Sequence, residues 1–101
     1  IDISRSSIVV LNHPDHGTIS GDRVTSASSR DDVITLQRVL NSFGFGITTD
    51  GIYGAETIHA VRAFQRVADL DVTGVADQEV LIRMGFRRSA YRFTEAVHHV
   101  R

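Results

Sequence analysis

The apolar positions of the chain fall into helical and strand-like patterns in turn. Val33, Leu36, Leu40 and Phe43 recur at spacings of three, four and three, which places them on one face of a helix. Ser29 stands at the N-cap position of that helix. Asp31 and Asp32 fill its first turn, where carboxylates suit the helix dipole, and Gly44 supplies a left-handed cap at its far end. The period returns from about Ala55 to Ala68, with Ile58, Val61, Phe64 (or Gln65) and Ala68 on one side. Glu56 lies early in this second helix and Arg62 and Arg66 late, again as the dipole prefers. A third, short helix follows Asp77 as its N-cap, with Val80, Leu81 and Met84 facing inward and Gly85 ending it. Ala90, Phe93, Val97 and Val100 predict a fourth helix over Ser89–Val100.

Residues 1–30 read differently. Ser-rich and holding the only proline, Pro14, they contain one strand-like run, Ile8–Leu11, and a weak alternation over Gly17–Val24. Asn12–Gly17 between them is turn chemistry, so this segment predicts a small hairpin or an ordered arm. Ser26–Ser29 reads as a linker that ends at the helix cap. The expected organisation is mainly α: an arm or linker over residues 1–30, a helical bundle over 31–85, and a basic C-terminal helix or tail over 86–101.

Composition narrows the function classes. The chain has 101 residues, enough for one domain. Its 11 basic residues, all Arg, balance 12 acidic ones to a net charge of −1, which argues against nucleic acid as a partner. The balance is uneven, because residues 86–101 carry a net +3. The absence of cysteine excludes disulfides, thiolate zinc sites and cysteine nucleophiles. No apolar run approaches the ~20 residues that span a bilayer as a helix. The chain begins at Ile1 and not at Met, which points to one processed or cut from a longer protein.

The middle of the chain repeats itself. Thr49-Asp50-Gly51-Ile52-Tyr53-Gly54-Ala55-Glu56-Thr57 aligns with Val72-Thr73-Gly74-Val75-Ala76-Asp77-Gln78-Glu79-Val80 at an offset of 23. Leu36-Gln37-Arg38-Val39 similarly matches Phe64-Gln65-Arg66-Val67 at an offset of 28. The unit is a helix, a loop and a Gly-aliphatic turn, used twice. Each helix is too short to persist alone and must pack on its neighbours. The aliphatic residue of each turn, Ile52 and Val75, is expected to plug the core beneath it.

From Asp32 to Gly85 the chain resembles the peptidoglycan-binding domain family, a small three-helix module. The resemblance rests on Leu36-Gln37, Phe43-Gly44, Asp50-Gly51-Ile52-Tyr53-Gly54, Thr57, Val61-Arg62-Ala63-Phe64-Gln65 and Gly74-Val75, in that order and spacing. Ala55 stands where the family often has Pro, and Asp77-Gln78 replaces a usual Gly-Pro. The resemblance implies a non-catalytic module that binds bacterial cell wall, with peptidoglycan as partner and no cofactor. It implies action at the cell wall, outside the cell or in the periplasm, either from a bacterium or encoded by a phage. Such modules accompany wall hydrolases and phage endolysins, and raise the local concentration of a tethered catalytic domain at an insoluble substrate. The alternative is a structural or protein–protein module of a phage or cell-envelope assembly.

Several residues are candidates for contact with such a ligand. Phe45 and Tyr53 offer flat apolar faces, and Tyr53 also a hydroxyl; the alternative for Tyr53 is a place in the core. Arg62 offers a guanidinium fork suited to a stem-peptide carboxylate, or is a solvated charge. Gln37 and Gln65 occupy equivalent places in the repeat, and either bond the backbone of the adjacent turn or reach a ligand. Thr48, Thr49 and His59 lie near the same region. Asp50, Gly51, Gly54 and Gly74 read as structural turn residues. His13, Asp15 and His16 invite a zinc reading, but loop polarity explains them better, and no metal site is expected. His98 and His99 diverge by about 100° on a helix and cannot readily hold one ion. No Gly-x-Ser-x-Gly occurs, and Glu56, Glu79 and Glu95 have ordinary helical roles, so no catalytic residue is assigned.

Overall fold

In a computed structural model, which describes residues 8–91, three helices form where the spacing places them, and the first and third begin and end where their caps stand. The first, α1, spans Arg30–Ser42, and the Ser29 hydroxyl accepts the Asp32 N–H at 3.2 Å. The second, α2, spans Ala55–Val67, and the third, α3, spans Gln78–Arg83 with the Asp77 carboxylate accepting the Val80 N–H at 3.0 Å. Gly44 and Gly85 follow α1 and α3 in the left-handed region, at φ 94° and 107°. Phe43 sits at the C-cap of α1, beyond the regular stripe, and is half exposed although the spacing placed it on the buried face.

The N-terminal segment is a hairpin. Strand β1 (Ile8–His13) pairs antiparallel with β2 (Gly17–Ser20), with Leu11 opposite Ile19. Both side chains are fully buried. The weak alternation expected to continue to Val24 stops at Ser20; Val24 instead makes an isolated bridge to Ala76, its N–H donating to the Ala76 carbonyl at 2.8 Å. The hairpin is tied to α1 by the buried Asp32, whose Oδ1 accepts the Ser20 N–H at 3.2 Å.

The predicted fourth helix is corrected at its start. Residues 87–91 form a third strand, β3 (Arg87–Tyr91), and the rest of the expected helix lies outside the described residues. β3 runs antiparallel along the free side of β1, from Ile8 opposite Tyr91 to Asn12 opposite Arg87, giving a sheet of order β2-β1-β3. The physical reason is ladder completion. With β2 on one side, β1 still has a row of unpaired N–H and C=O groups on the other, and backbone groups seek partners. The three-and-four spacing of the apolar residues carries no record of that distant partner.

One buried cluster joins the whole. Leu11, Ile19 and Val24 meet Leu36 and Leu40 of α1, Val61 and Phe64 of α2, Leu81 of α3, and Phe86 just beyond it. Residues on both sides of the expected 31–85 limits therefore share one core with the helices. The turn residues expected to plug that core do not reach it: Ile52 is 63% exposed and Val75 39%. In an extended stretch successive side chains alternate sides, so the next residue in each turn faces inward. That residue is Ala76 in the second turn, fully buried, and Tyr53 in the first, packed against the cluster.

Candidate functional site

The repeat seen in the sequence is a repeat of hydrogen bonding. Gln37 and Gln65 are both fully buried, one on α1 and one on α2. The Gln37 Oε1 accepts the Gly51 N–H at 2.9 Å, and its Nε2 lies 3.0–3.1 Å from the Ile52 carbonyl, the Thr57 hydroxyl and Asp50 Oδ1. Two hydrogens shared among three acceptors make one of these bonds bifurcated. The Gln65 Oε1 accepts the N–H groups of Thr73 and Gly74, each at 2.9 Å, and its Nε2 donates to the Thr73 hydroxyl at 3.0 Å and the Val75 carbonyl at 3.2 Å. Asp50 and Thr73 hold equivalent posts, each accepting an N–H two residues on, from Ile52 at 3.0 Å and Val75 at 3.1 Å. Both glutamine side chains are thus committed to the turns, and no buried polar side-chain atom among the described residues lacks a partner.

The glycines of the turns are not alike. Gly51 and Gly74 adopt φ 79° and 81°, in the region that favours glycine. A Cβ on Gly51 would lie 2.5 Å from Arg30 Cγ, and one on Gly74 2.9 Å from Ile58 Cγ2 and 3.1 Å from Arg62 Nε. Gly54 is the N-cap of α2 at φ −105°, which any residue adopts, and a Cβ there would meet only ordinary contact. The Ile52 N–H and then the Gln37 amide hold the Asp50 carboxyl below its usual 3.8.

Tyr53 links the two turns. Its hydroxyl donates to the Gly74 carbonyl at 2.7 Å and accepts the Ala76 N–H at 3.1 Å. Burial pushes the phenol up to about 12; the Ala76 N–H opposes that shift and the Asp77 charge adds to it. The hydroxyl expected to be available to a ligand is therefore already used in both directions.

The remaining candidates divide between two depressions. Phe45 and His59 line one of about 350 Å³, with Ile47, Glu56, Ala60 and Ala63. Tyr53 and Arg62 line another of about 240 Å³, with Thr25, Ser26, Ile58, Thr73, Gly74 and Val75. The Thr49 hydroxyl accepts from Asn41 Nδ2 at 3.2 Å, and the Thr48 N–H donates to Glu56 at 2.9 Å, so both belong to the loop that leads into the first turn. Asn41 organises that loop, bonding the Ile47 carbonyl at 2.9 Å as well as the Ile47 N–H; its polar place at the end of an apolar stripe is the sequence signal for this. Thr73 was legible as the partner of Asp50 in the repeat, whereas nothing in the sequence marks Thr25 and Ser26. A third depression, of about 210 Å³, is lined by Asp69, Asp71, Asp77 and Glu79 among others. His13 accepts the Asp15 N–H on Nδ1 at 3.1 Å and sets its ring edge-on to Phe86 at 5.2 Å, which are loop and packing contacts. Among the described residues no three His, Cys, Asp or Glu side chains stand together as a metal set, and no helix is long and apolar enough to cross a membrane.

Comparison with known proteins bears on this arrangement. A family model described as peptidoglycan binding domain matches residues 29–84, just over half of the chain. Among solved structures, the chain is similar to a peptidoglycan-binding protein from Clostridioides difficile, crystallised in complex with glutamine hydroxamate. The TM-score is 0.61 at 17% identity, over 83% of this chain and 54% of that one, so the likeness is one of fold. No curated protein matches the chain significantly.

Proposed function

The chain belongs to the peptidoglycan-binding domain family, and on that footing we propose that it is a non-catalytic module that attaches a larger protein to bacterial cell wall. The observation that carries the reading is the family match over residues 29–84, within which both glutamine-clamped turns fall. The clamps give the reading physical sense. They spend buried amides on fixing two loops, so the side chains around those loops stand in set positions without a ligand, and little ordering remains to be done on binding. Phe45 and His59 around one depression, and Arg62 beside Tyr53 around the other, are the proposed contact residues. The work of such a module is concentration: it holds a tethered wall hydrolase or phage endolysin at an insoluble substrate. Its place of action is the cell wall.

Retention on purified sacculi tests this. The wild type is expected to sediment with sacculi at moderate salt, and Phe45→Ala and Arg62→Ala to sediment less. A wild type that stays in the supernatant at low salt would remove the reading. Retention lost as soon as salt is raised would reduce it to a charge effect.

Phe43 and Val67, 50% and 84% exposed, favour a second reading. They stand at the C-terminal ends of α1 and α2, and the Phe43 ring leans on that of Phe64 at 5.3 Å. An apolar end of this kind suits docking on a protein. Sedimentation of the chain with candidate catalytic domains, in the absence of wall, separates the two readings.

A further inference from the structure

The three depressions differ in charge. Asp69, Asp71, Asp77 and Glu79 surround one, and Glu56 lines the one beside Phe45. Among the described residues, the depression over the second turn has Arg62 and no carboxylate in its lining. Its polar groups are donors. The Thr73 hydroxyl already accepts two hydrogen bonds, from Gln65 and from the Val75 N–H, which leaves its hydrogen to give. The Thr25 hydroxyl accepts one hydrogen bond, from the Ala27 N–H at 3.1 Å, and donates none, so its hydrogen is also available. Asp77, the acid whose charge reaches Tyr53, faces the neighbouring depression and is occupied in capping α3.

The position of Arg62 depends on Gly74. Its Nε lies 3.1 Å from where a Cβ on Gly74 would stand, so the guanidinium lies over the turn in space that glycine leaves open. Ile58 and Val75 supply an apolar wall. The volume, about 240 Å³, is below the ~300 Å³ at which sites for drug-sized ligands begin, and suits one or two small residues.

We propose that this depression is a carboxylate site that takes the free C-terminal end of a short peptide with small aliphatic side chains. The Arg62 fork meets the carboxylate, the Thr73 and Thr25 hydroxyls add donors, and Ile58 and Val75 receive a methyl group. Tyr53 is a positioning residue that holds the turn. The proposal rests on the wall-binding reading for the origin of such ends, which are uncrosslinked wall peptides.

The probe is N-acetyl-alanyl-alanine, in its L,L and D,D forms, against the corresponding C-terminal amide, titrated into isotopically labelled chain. Either acid is expected to shift the Thr73, Gly74 and Val75 amides, with the amide form weaker by about tenfold or more, as a charge-assisted fork requires. Arg62→Gln should bring the acid down to the affinity of the amide form. Arg66→Gln, exposed one turn further along α2, should leave binding unchanged. Equal affinity for acid and amide forms, or shifts confined to other surfaces, would overturn the site. Sacculus retention without acid-dependent shifts also overturns it, while leaving wall binding in place. Acid-dependent shifts without sacculus retention would uphold the site and remove the wall as its source of ligand.

Discussion

Gln65 and Gln37 show what one residue can hold. Replacing Gln65 with Leu keeps an apolar volume but strands the N–H groups of Thr73 and Gly74, the second of them in a buried bond. An unpaired buried donor costs about 1–3 kcal/mol, so Gln65→Leu is expected to lose about 2–4 kcal/mol of stability in urea unfolding. Gln65→Glu should lose no less, since it keeps the accepting oxygen but sets a buried carboxyl oxygen against the Val75 carbonyl in place of a donor. The Tyr53 phenol carries a different signature. Its value is raised in the folded chain, to about 12 from an ordinary 10.0, so the neutral form is the one the fold favours. Its contribution to stability is complete below pH 10 and is lost as pH rises through 12. Alkaline absorbance titration should show a phenolate that appears late, and Tyr53→Phe should remove that late step.

Among the elements, the helices were the most legible part of the sequence. Their ends are chemical: Ser29 and Asp77 cap through side-chain oxygens, and a single sequence displays such residues directly. Ser29→Ala and Asp77→Ala are each expected to cost about 1 kcal/mol, read as a shift in urea midpoint at constant slope. The turns were half legible. Repetition located them and named Gln37, Gln65, Gly51 and Gly74, but the inward residue lay one position beyond the expected one. An extended turn decides sidedness by alternation, and a Gly-aliphatic pair alone does not state which side is inside. The strand at Arg87–Tyr91 was not legible at all. Its reason for being a strand lies at Ile8–Asn12, some eighty residues away in the sequence. Of the candidate contact residues, the sequence named Phe45, Tyr53, Arg62 and His59 but could not divide them between two depressions, because that division depends on which turn lies over which helix.

At the scale of the molecule, the stretch matched by the family is smaller than the folded unit. Leu11, Ile19, Val24 and Phe86 fall outside residues 29–84, yet all are buried in the common core. Each such side chain contributes roughly 1.5–3 kcal/mol, as an upper figure, against a total stability for a small domain of about 5–15 kcal/mol. A fragment of residues 29–84 is therefore expected to be marginal, with a lower urea midpoint and a shallower slope than the chain from 8 to 91. Equal midpoints would show that the hairpin and β3 are ornaments to the bundle. The ladder between β1 and β3 has one more consequence, a mechanical one. Ile8 and Tyr91 face each other at the same end of an antiparallel pair. Tension applied through the backbone on either side would load that rung first and pass to the next only when it parts, opening the ladder like a zip. Strands pulled past each other would share the load across all their bonds. A body held at one surface and pulled from another through these two positions would yield its sheet early, while the clamped turns, lying off the line of force, kept their shape.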